Sequence, residues 1–123
     1  MSKLALVVLG LLLGISQVSA GSREDAYDAL RQGMEYPQAR KLLVTGGWQA
    51  VRYPWAKAEE RCGGRSDICN AFQEAEACAG TGMAQCRFRY VDGKGKALIV
   101  ITVGEELPDL ALDSWFIQPA DQE

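Results

Sequence analysis

The sequence predicts an α+β domain: two N-terminal helices packed on a small antiparallel sheet of three to four strands, stapled by two disulfides. Three observations carry this expectation. Apolar residues recur at helical spacing before Gly47, β-branched and aromatic residues alternate after Cys86, and four cysteines occupy a short chain that opens with a hydrophobic leader.

The leader comes first. Lys3 supplies a positive start, Leu4 to Ile15 is an almost unbroken apolar run, and Val18-Ser19-Ala20 offers small residues for cleavage, so residues 1–20 read as a signal peptide. The run is well short of the roughly 20 residues that cross a bilayer as a helix, and no later stretch is longer. A lipoprotein would carry a cysteine just after the run, whereas the first one is Cys62. The expected mature chain, residues 21–123, forms a single small domain that is periplasmic or secreted and has no membrane span.

Within it, "GSREDAYDALRQGM" offers Ser22 as an N-cap and Tyr27, Leu30 and Met34 at helical spacing. "EYPQARKLLVTGGW" places Pro37 in a first helical turn and ends on Gly46-Gly47, with Tyr36, Ala39, Leu42 and Leu43 facing inward. From Trp48 the period shortens, and "WQAVRY", closed by Pro54, reads as a strand. The next segment has helical composition but is broken at Cys62-Gly63-Gly64, which predicts short helical turns and loop. "CRFRYV", the turn "DGKGK" and "ALIVITV" predict a hairpin with a central second strand, and "SWFIQP" a last strand.

Four cysteines in an exported chain imply two bridges, and sequence alone permits three pairings. Short loops close at the lowest entropic cost, which favours Cys62 with Cys69 and Cys78 with Cys86. Each such bridge constrains the unfolded chain by about 2 to 3 kcal/mol.

Charge and composition narrow the chemistry. Once Lys3 leaves with the leader, 12 basic and 16 acidic side chains remain, and there is no histidine. Nucleic-acid binding rests on clustered Lys and Arg, so this balance argues against it. Six acids and no base follow Gly104, which reads as a solvated acidic end. Zinc ligands come in tight pairs, whereas successive cysteines here lie seven, nine and eight positions apart, so no metal is expected. The C-x-x-C pair of redox catalysts is absent, and "CAGTGMAQC" leads into a strand without a nearby lysine, unlike a phosphate cradle. Its glycines, Gly80 and Gly82, are expected to reverse the chain through positive φ angles. A Ser-His-Asp triad is impossible without histidine, and no cofactor is implied.

The aromatic residues point elsewhere. Trp48 and Trp115 suit the core, whereas Tyr53 and Trp55 at a strand end, with Arg87 and Arg89 on one face of the hairpin, are the residue types that anchor binding surfaces. Arg87 and Arg89 either present a basic stripe or pair with Glu74 and Glu76.

"LLVTGGWQAV", the spaced cysteines and "EACAGTGMAQCRFRY…GKALIVITVGE" resemble uncharacterised small exported proteins of Gram-negative bacteria with a C-x-G-T-G-x-x-x-C-x-F run. The resemblance implies a periplasmic or secreted protein and brings no activity with it. More weakly, "GMEYPQARKLL" is similar to a helix-opening pattern of small periplasmic binding folds, the β-lactamase-inhibitor-like proteins and outer-membrane-assembly lipoproteins. The expected function is a non-catalytic exported binding module, whether inhibitor, immunity protein or envelope accessory factor, with another envelope or secreted protein as partner. The alternatives are a small hydrolase using Glu74 and Glu76, or a structural or stress-response envelope protein.

Overall fold

A computed structural model describes residues 20–122. The expected signal peptide therefore lies almost wholly outside the described residues. Helix α1 (Ala20–Ala29) is followed by α2 (Tyr36–Gly46) and a two-residue strand β1 (Gln49–Ala50). The chain then leaves the sheet through a 3-10 turn at Trp55–Lys57 and the short helices α3 (Ala58–Cys62) and α4 (Ser66–Ala71). It returns as β2 (Ala75–Cys78), β3 (Cys86–Val91), β4 (Lys96–Val103) and β5 (Ala111–Pro119). Among the described residues, no helix is long and apolar enough to cross a membrane.

The α+β class and both favoured disulfides, Cys62–Cys69 and Cys78–Cys86, are present. The sheet, however, has five antiparallel strands where three to four were expected, and two short helices follow β1. The added strand is β2, whose "AEAC" is built mainly of Ala and Glu, poor strand formers, and is held by pairing with β3. The first strand shrinks to Gln49–Ala50, and the last extends back to Ala111.

α1 ends earlier than expected, so Leu30 and Met34 lie beyond it, and Ser22, expected as its N-cap, lies within it. The cause is competition from β5. Gly33 donates its N–H to the Leu112 carbonyl at 2.8 Å, Leu112 returns one to Met34 at 2.8 Å, and Tyr36 N–H bonds the Leu110 carbonyl at 2.9 Å. Residues 33–36 are thus drawn out as a partial strand against the start of β5. α2 matches its prediction: Pro37 sits in its first turn and Gly47, at φ 110°, ends it in the left-handed conformation. Tyr36, Ala39 and Leu43 are buried, and Leu42 is half-buried.

The two helices touch at Gly46. A Cβ there would stand 2.6 Å from Ala26 Cβ and 2.9 Å from the Ser22 carbonyl oxygen, a backbone atom that cannot swing away. Gly46→Ala should therefore wedge α1 from α2 and destabilise the fold by about 1 to 3 kcal/mol, read as a lowered urea midpoint. An unchanged midpoint would refute the close approach.

β4 is central, as expected, with β3 on one side and β5 on the other. β1 and β2 share the far edge of β3: Gln49 and Ala50 oppose Val91 and Tyr90, and Ala75 to Cys78 oppose Phe88 to Cys86. The excursion between them is closed at its neck. Arg89 takes Glu74 C=O with its N–H and gives its own C=O to Val51 N–H, each at 3.1 Å, while Tyr53 N–H bonds Gln73 at 3.0 Å. On the helix side of the sheet, Phe88, Tyr90, Leu98, Val100 and Leu112 pack against Tyr36, Leu43, Trp48 and Ile68. Trp48 belongs to this core, and Trp115 packs partly buried against it.

The opposite face is thinner. There the register aligns Arg89, Ile99 and Phe116 in one row and Arg87, Ile101 and Ser114 in the next. Ile99 is fully buried, while Phe116 is 40% exposed. The side of β5 away from β4 is paired only around residues 110–113, and no backbone partner meets Ser114–Gln118 among the described residues.

Candidate functional site

Two polar clusters flank the β2–β3 edge, one on each face, and a bulge separates them. Ala75 opposes Phe88 and Ala77 opposes Arg87, so β2 carries one extra residue, Glu76, between them. Residues two apart on a regular strand share a face. Here the bulge, together with the turn that closes Ala75 N–H onto the Phe72 carbonyl at 2.9 Å, sends Glu74 to the helix side and Glu76 to the other. The two carboxylates therefore share no cleft.

On the helix side, Tyr36 and Arg40 stand one turn apart on α2 and both reach Glu74, which is 1% exposed. Tyr36 stacks on Phe88 with ring centroids 3.9 Å apart, which fixes where its hydroxyl points. That hydroxyl donates to Glu74 Oε2 at 2.7 Å. Its single proton being used, the 2.5 Å contact with Tyr90 is a bond that the Tyr90 hydroxyl donates. Arg40 completes the shell, with Nε at 2.7 Å from Oε2 and Nη2 at 3.4 Å from Oε1.

Burial raises the Tyr36 hydroxyl well above its ordinary pKa, and the neighbouring Tyr90 and Glu74 push it the same way. Tyr90 is raised likewise, first by burial and then by the Glu74 charge. The hydrogen bond to Glu74 raises the Arg40 guanidinium, against a smaller loss from desolvation. Both tyrosines are thereby held neutral, Tyr36 as a donor to the buried Glu74 carboxylate and Tyr90 as a donor to Tyr36. Beside them a cavity of about 380 Å³, lined by Arg40, Arg52, Asn70 and Gln73, opens to solvent.

On the opposite face Glu76 gathers three of the four residues that the sequence nominated. Arg87 Nε reaches Oε2 at 2.9 Å, Arg89 Nη1 stands 3.7 Å from Oε1, and the Tyr53 hydroxyl donates to Oε1 at 3.3 Å. Arg89 also donates through Nη2 to the carbonyls of Ala120 at 2.6 Å and Gln122 at 2.9 Å, tying down the chain end. Burial, with the Glu76 charge, pushes the Tyr53 hydroxyl up to about 12.

Arg87 and Arg89 are thus ion-paired, and no open basic stripe is left. The pairing differs from expectation at one point: both arginines go to Glu76, and Glu74 takes Arg40. Tyr36, Arg40 and Tyr90 were not foreseen as a cluster, although the four-residue spacing of Tyr36 and Arg40 on one helix was a readable signal.

Trp55, the fourth nominated residue, stands apart and is 65% exposed. Its segment is nonetheless held. Arg61 lies over the Tyr53 ring at 5.1 Å, donates through Nη1 to Pro54 C=O at 2.7 Å and through Nε to Ala75 C=O at 2.9 Å. Lys57 N–H bonds the same Pro54 carbonyl at 3.1 Å.

In the "CAGTGMAQC" loop Gly82 takes φ 67° as expected, whereas Gly80 does not and Ala84 does, at 54°. Among the described residues, no group of three or more His, Cys, Asp or Glu is placed to hold a metal ion. Compared with protein-family models, with curated proteins and with solved structures, the chain shows no match.

Proposed function

We propose that this chain is an exported, non-catalytic binding module that docks another envelope or secreted protein through Trp55. The observation that carries the reading is a tryptophan about two-thirds exposed on a segment that Arg61 fastens to β2. An exposed indole is usually a cost, since it leaves apolar area in water. With the backbone beside it tied to β2, it gives up less freedom on binding than a side chain on an untethered loop would, which suits an interface anchor. The backbone next to it is tied down, since Arg61 donates to the carbonyls of Pro54 and Ala75.

A photo-crosslinking side chain at position 55, expressed with the leader in the native host, should give one discrete adduct. With that partner purified, Trp55→Ala should weaken binding by on the order of 30-fold or more. Binding unchanged by Trp55→Ala would remove the proposal. Export is checked separately by sequencing the mature N-terminus, which is expected at Gly21.

A further inference from the structure

The two disulfides are in contact. Cys62 Sγ of one bridge lies 3.4 Å from Cys78 Sγ of the other, because α3 packs against β2 and brings its last residue beside that strand's last residue. We propose that the four sulfurs form a single thiol–disulfide exchange site, in which a dithiol reductant acting on Cys78–Cys86 moves the surviving bond to Cys62–Cys78.

The chemistry follows from exposure and distance. Cys62, Cys69 and Cys86 are each 1% exposed, whereas Cys78 is half-buried, so an external thiolate reaches Cys78 Sγ first. Its attack forms a mixed disulfide and breaks Cys78–Cys86, and the electron pair goes to Cys86 Sγ, which takes a proton. The reductant's second thiol then closes on the first and leaves as a disulfide, releasing Cys78 as a thiolate.

That thiolate faces Cys62 Sγ across 3.4 Å. Its attack forms Cys62–Cys78 and breaks Cys62–Cys69, and Cys69 Sγ leaves with the electron pair and is protonated. The leaving thiol already has an acceptor, the Ala75 carbonyl oxygen at 3.8 Å. In sum, one dithiol is oxidised, one protein bridge remains, and Cys69 and Cys86 are thiols. The loops 62–69 and 78–86 are both released from their covalent closure, while α3 becomes tied directly to β2. Arg65, bonded through Nη1 to the Ala84 carbonyl at 2.7 Å, keeps the two loops together during the transfer.

The test is native-state reduction with limiting dithiothreitol, followed by acid quench, alkylation and peptide mapping. The expected first product has a Cys62–Cys78 cross-link, alkylated Cys69 and Cys86, and loss of the Cys62–Cys69 peptide. A product that keeps Cys62–Cys69 and alkylates only Cys78 and Cys86 overturns the proposal, as does an equal yield of Cys62–Cys78 in denaturant. Cys86→Ser gives an independent answer without any reductant. Its lone thiol should distribute between Cys78 and Cys69, and alkylation confined to Cys78 overturns the exchange.

Discussion

Glu74→Ala is expected to cost the fold about 2 to 4 kcal/mol, seen as a drop of roughly 10 to 25 °C in the midpoint of thermal unfolding. Removing one member of a buried charged pair usually costs about 3 to 5 kcal/mol, because the partner is left buried and unpaired. Here the partner, Arg40, is 39% exposed and water can take over part of its shell, which lowers the figure. What water cannot replace is the acceptor for Tyr36, whose hydroxyl is then left with Tyr90 alone in an apolar core. Glu76→Ala should cost less, about 1 kcal/mol, since Glu76 is 22% exposed, Arg87 at 29% can hydrate, and the buried Arg89 keeps the Ala120 and Gln122 carbonyls. A Glu74→Ala protein as stable as Glu76→Ala would show that the helix-side cluster contributes little.

Stability should also fall steeply above about pH 10. An unfolded chain ionises its tyrosines near pH 10. Tyr36 and Tyr90 keep their protons beyond that pH in the fold, because burial raises both. Above pH 10 the unfolded state therefore binds fewer protons than the native state, and alkali favours unfolding. Two such groups give a slope of about 2.7 kcal/mol per pH unit. Tyr53, raised to about 12 but half-exposed, adds a smaller contribution that stops growing near that pH. Urea unfolding at pH 9 and pH 11 reads the slope. Tyr90→Phe should remove about half of it, and a midpoint that stays level across the interval would contradict the burial of both hydroxyls.

Much of the fold was legible because its signals are local. α2 carries its own start and stop in Pro37 and Gly47, and the hairpin its own turn in "DGKGK". The elements that escaped were decided by distant partners. β2 is a strand only because β3 offers it an edge, and α1 stops early because β5 takes the backbone groups of Gly33 and Met34. The bulge at Glu76 left no trace in the residue pattern, yet it determines which carboxylate faces which arginine. For the same reason the sequence nominated Tyr53, Arg87 and Arg89 together but offered Glu74 as well as Glu76 to the two arginines, whereas Glu74 pairs with Arg40. Disulfide pairing was readable from loop lengths; the contact between the bridges was not, since it depends on α3 meeting β2.

The outer margin of β5 has one further consequence. From Ser114 to Gln118 the strand is "SWFIQ", without a charge, and Phe116 and Ile117 stand 40% and 44% exposed on its two faces. Proteins normally blunt such a border with lysine, proline or a covering loop; here, among the described residues, Pro119 and the bridge from Glu35 to Ala111 guard the ends and leave the middle without a backbone partner. Pairing of this margin with a second copy would be made by short-range backbone hydrogen bonds, which salt does not screen.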